Sequence, residues 1–79
     1  MQAKQLIAEA AFGPKKVAAL GRVFDEAWEL VKADYESPMA VAAARLKLAN
    51  IVLNLAKEGE EDDQRLKDRA VRILSVDNP

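Results

Sequence analysis

Apolar residues recur along most of this chain at spacings of three and four, the pattern of helices with one face turned inward. Val17, Leu20, Phe24, Ala27, Trp28, Val31 and Tyr35 fall on one side of a helix predicted over 14–35. Arg22, Asp25, Glu26, Glu29 and Lys32 fall on the other, and Val23 and Leu30 widen the apolar stripe at its edge. Pro14, directly after Gly13, occupies the first helical position, where its fixed φ suits the helix and its missing N–H wastes no hydrogen bond. Arg22 is spaced to meet Asp25 or Glu26, and Glu29 to meet Lys32, each pair worth about 0.2–0.5 kcal/mol.

A second helix is predicted over 38–58. Ser37 stands before Pro38 as an N-cap whose side chain can accept from a free backbone N–H. Ala42, Leu46, Ala49, Leu53 and Ala56 form one apolar stripe; Val41, Ala44, Leu48, Ile51, Val52 and Leu55 form another. Together they cover roughly 220° of the wheel, where a surface helix needs little more than about 100°. Only a narrow strip, with Lys47, Asn50, Asn54, Lys57 and Glu58, is polar. This helix requires apolar partners on both sides.

The last helix is predicted over 62–76, with Leu66, Ala70, Ile73 and Leu74 inward and Val71 at one edge. The acids before it suit the positive end of the helix dipole. In the opening segment, 1–12, Ala3, Leu6, Ile7 and Ala10 share helical spacing, but a helix of two or three turns must dock to persist. No segment alternates with period two for long enough to propose a strand. Short loops favour antiparallel neighbours. The expected fold is therefore all-α: one domain over 1–79, an antiparallel three-helix bundle with a short additional N-terminal helix. Phe24, Trp28, Leu46, Leu53, Leu66 and Ile73 are its expected core anchors.

Composition narrows the chemistry. The 79 residues include no cysteine and no histidine, which removes disulfides, thiolate chemistry and the commonest general base and metal ligand. A hydrophobic fraction of 51% beside 32% charged residues describes a folding chain, and a net charge of −1 gives no general attraction to nucleic acid or anionic lipid. No uninterrupted apolar run approaches the ~18 residues of a membrane span, and no targeting pattern appears. A cytoplasmic protein that keeps clear of membranes is expected.

Four constellations invite a functional reading. The run Glu58-Gly59-Glu60-Glu61-Asp62-Asp63 lacks the alternating ligands and distant bidentate glutamate of a calcium loop, and reads as a solvated helix start. Gly13-Pro14-Lys15-Lys16 lacks the further glycines and the preceding strand of a phosphate-binding loop. Arg65, Arg69 and Arg72 share a face of the last helix, the outline of a nucleic-acid-reading helix. Four acids at its entry, with Glu61–Arg65 and Asp68–Arg72 at ion-pair spacing, count against that use. Arg45 lies in the middle of the wide apolar arc, where it can snorkel, pair with Asp34, Glu36 or Glu26, or cross a subunit interface. No catalytic constellation, cofactor site or metal site emerges, so the chain reads as a non-enzyme.

Phe24-Asp25-Glu26-Ala27-Trp28 and Ala43-Ala44-Arg45-Leu46-Lys47-Leu48-Ala49, together with the opening Met1 to Ala10, resemble a family of short bacterial all-helical proteins of uncharacterised function. In that family Val23 is often replaced by alanine. The resemblance covers most of the chain and implies a bacterial cytoplasmic protein; it brings no activity, ligand or site residue.

The function this sequence predicts is protein–protein interaction or self-association, through the surplus apolar surface of the second helix. Val41, Arg45, Leu48, Val52 and Leu55 are the expected interface of a homodimer, or of a complex with another helical protein. Weak nucleic-acid binding through Arg65, Arg69 and Arg72 is the alternative. No small-molecule ligand suggests itself.

Overall fold

The structure, a computed structural model, describes Ala3, Ile7 and residues 12–77. Three helices account for most of it: α1 (Pro14–Val31), α2 (Pro38–Lys57) and α3 (Asp63–Asp77), with a 3₁₀ turn at Lys32–Asp34. Each helix packs against the other two, and no strand occurs among the described residues. The protein is an all-α three-helix bundle. The expected opening helix, 1–12, lies mostly outside the described residues; Ala3 and Ile7 are helical and belong to the same buried core as the bundle.

Local chemistry sets the ends of these helices. Pro14 and Pro38 each sit in the first helical turn, and the Ser37 Oγ accepts a hydrogen bond from the Ala40 N–H at 3.0 Å. Asp62 caps α3: its Oδ1 accepts from the backbone N–H groups of Gln64 (2.9 Å) and Arg65 (3.1 Å). The acidic run thus begins a helix by satisfying donors that the helix cannot satisfy internally. At the other end of the same loop, Gly59 adopts φ 101°. Its N–H donates to the Ala56 carbonyl and that of Glu60 to the Leu55 carbonyl, which together close α2 in a Schellman motif. A side chain on Gly59 would meet no neighbouring atom, so Gly59→Ala isolates the backbone cost of a left-handed residue. Urea denaturation should show a loss of about 1–2 kcal/mol with an unchanged slope; an unaltered midpoint would mean that the turn relaxes freely.

The α1 helix stops earlier than its apolar spacing suggests. The chain tightens into the 3₁₀ turn after Val31 and is extended at Tyr35 (φ −121°, ψ 124°). Pro38 forbids helical geometry at the residue before it, and Ser37 is accordingly extended (φ −95°, ψ 150°). Tyr35 nevertheless keeps its place on the core-facing side, stacked on Trp28 with ring centroids 5.7 Å apart.

Four of the six expected core anchors are in the core, and on the predicted α2 stripe Ala42 is exposed. Phe24, Trp28, Leu53 and Leu66 are buried as expected, whereas Leu46 is half-buried and Ile73 is 37% exposed. Leu66, Ala70 and Leu74 form the buried line of α3, stepping by four. That row is inclined to the helix axis, so a contact that starts on Leu66 has moved past Ile73 one heptad later. In α2, Ala44, Leu48, Ala49, Ile51, Val52, Leu53, Leu55 and Ala56 are buried, all but Ala44 in the second half of the helix. By length and composition alone α2 could cross a membrane, at a mean hydropathy of 1.4 over its most apolar window. Here its apolar arc lies against α1 and α3.

Candidate interaction surface

The five residues expected at an interface line the inner side of α2. Leu48 and Val52 are 0% exposed and Leu55 3%, while Val41 is half-buried against the same core. Most of the wide apolar arc that suggested a dimer is covered within the chain, so Leu48, Val52 and Leu55 have no surface left to offer a partner. Arg45 is half-buried, with its Cζ 5.0 Å from the centre of the Phe24 ring and 5.4 Å from that of Trp28. Its methylenes and flat guanidinium close the α1–α2 seam by lying on aromatic faces, and it makes no ion pair among the described residues. Glu26, one of its expected partners, instead meets Lys67 at 3.4 Å and ties α1 to α3.

Arg65, Arg69 and Arg72 are all exposed. The pairings differ from those predicted. Glu60 reaches both Arg65 (Nε, 3.5 Å) and Arg69 (Nη1, 3.8 Å), and Asp68 accepts from the Gln64 Nε2 at 3.1 Å. Only 14% of the Glu60 side chain is exposed, because the turn at Gly59 folds this residue back against the bundle. Arg72 makes no ion pair among the described residues. Glu29 and Lys32 pair at 2.6 Å, as their spacing predicted.

The apolar surface that remains uncovered lies elsewhere. Leu30 is 63% exposed, Met39 85% and Val76 80%. Leu30 is in the last turn of α1, Met39 in the first turn of α2, and Val76, with Ile73, near the end of α3. A groove of about 610 Å³ is lined by residues 34–37, by Ala40 and Ala44 from the first half of α2, and by Leu74 near the end of α3. Among the described residues, the large apolar side chains left most exposed are thus each near a helix end.

The groove carries charge at its rim, from Asp34, Glu36 and Lys47, beside the Tyr35 phenol. Burial, and then the negative charge of Asp34, raise the Tyr35 pKa above its ordinary value of 10.0. This holds the phenol protonated, the reverse of what a base or nucleophile requires. The stability linked to the neutral phenol is complete below pH about 10 and is lost as the pH climbs through the folded-state value. Tyr35 is the sole tyrosine, so ultraviolet titration at the phenolate band follows it alone. The folded protein should ionise at higher pH than the urea-unfolded chain, and coincident curves would contradict the placement of the ring.

Among the described residues no group of three His, Cys, Asp or Glu side chains is placed to hold a metal ion. No known family model, curated protein or solved structure matches the chain.

Proposed function

We propose that this chain is a non-enzymatic protein-interaction module of the bacterial cytoplasm, and that it associates through the end of the bundle bearing Leu30, Met39 and Val76. One observation carries the reading: folding leaves these three large apolar side chains in water, near the end of α1, the start of α2 and the end of α3, which an antiparallel bundle brings to one end. Covering each of them would contribute about 1.5–3 kcal/mol, and apolar surface gathered in one place marks a contact region. A second copy of the chain is the first partner to test, since a two-fold contact is the commonest way for one surface to meet itself. The helices run antiparallel in this reading. Leu74, near the end of α3, lining one groove with Ala40 and Ala44, near the start of α2, supports that arrangement. The opening segment forms a fourth helix, supported by the helical state and burial of Ala3 and Ile7. Nucleic-acid binding has weaker support, because Glu60 already offsets two of the three arginines on α3.

Sedimentation over micromolar to millimolar concentrations tests the proposal. The unmodified chain should reach about twice its monomer mass. The double variant Met39→Glu, Val76→Glu should stay monomeric while keeping its helical spectrum, because both side chains project into solvent. A chain that remains monomeric throughout would remove self-association, and a dimer that survives both substitutions would move the contact away from this end.

A further inference from the structure

We draw no further inference here: the strongest candidate, the groove of about 610 Å³ between residues 34–37, the alanine-lined start of α2 and Leu74 of α3, belongs to the end of the bundle already proposed as the interface, and nothing in the structure shows what covers it.

Discussion

Leu48→Glu unfolds the bundle instead of separating two copies of it. Leu48 is completely buried in the chain's own core, on the side of α2 that faces its neighbours. Removing a buried leucine costs about 2–5 kcal/mol, and an ionised carboxylate left unpaired in its place adds several more. A chain of 79 residues has a total stability on the order of 4–12 kcal/mol, so the substitution consumes most or all of it. Circular dichroism at 25 °C should show loss of most helical signal, and native-gel or sedimentation profiles should show an expanded or aggregated chain. A variant that stays fully helical, with only its apparent mass halved, would place Leu48 on an outer face and revive the interface first expected on α2. Met39→Glu makes the useful contrast, because the same change of chemistry at a solvent-exposed position should leave the fold intact.

The contrast between Leu48 and Met39 also shows where sequence reading reaches its limit. Helix boundaries were legible wherever local chemistry decides them: Pro14, the Ser37-Pro38 cap and the acidic start of α3 all act within a turn of their own position. The apolar width of α2 was legible too. What covers that width was not, since a helical wheel reports how much surface must be hidden and is silent on whether the cover comes from the same chain. Ile73 escaped for a related reason, because the inclination of a helix–helix contact is a property of the pair. The pairing of Glu60 with Arg65 and Arg69 depends on the turn at Gly59, which redirects a side chain that linear spacing would have sent elsewhere. Arg45 was visible as an anomaly, but its aromatic partners lie some twenty residues away in sequence on another helix.

The stretches Phe24–Trp28 and Ala43–Ala49 have a physical meaning in this light. Phe24, Ala27 and Trp28 from the first, and Ala44, Leu48 and Ala49 from the second, are all buried, and Arg45 bridges the two by stacking on both rings. Small residues at 27, 44 and 49 let helices approach closely, while Phe24 and Trp28 fill the space between them. These segments encode the packing of α1 on α2.

Ile7→Ala should cost about 2–5 kcal/mol, as much as a comparable truncation inside α1 or α2. Ala3 and Ile7 are four residues apart, so on a helix they lie one above the other on the same face. Both are helical, and they are only 4% and 2% exposed within the one hydrophobic core. Such burial has to be matched by apolar atoms elsewhere in the chain, and α2, with five buried residues among 51–56 and two more at 48 and 49, has a demand larger than a two-neighbour helix usually shows. A short helix alone is unstable in water, so the helical state of Ala3 and Ile7 goes with their burial in the core. Urea denaturation of Ile7→Ala should therefore show a lower midpoint with the same slope. Deleting residues 1–12 should lower both, because less surface is then exposed on unfolding. Met39→Ala provides the baseline, with an expected change within about 0.5 kcal/mol at an exposed site. If Ile7→Ala behaved like Met39→Ala, the opening segment would be dispensable to the core, and the wide apolar arc of α2 would again need a second copy of the chain to cover it.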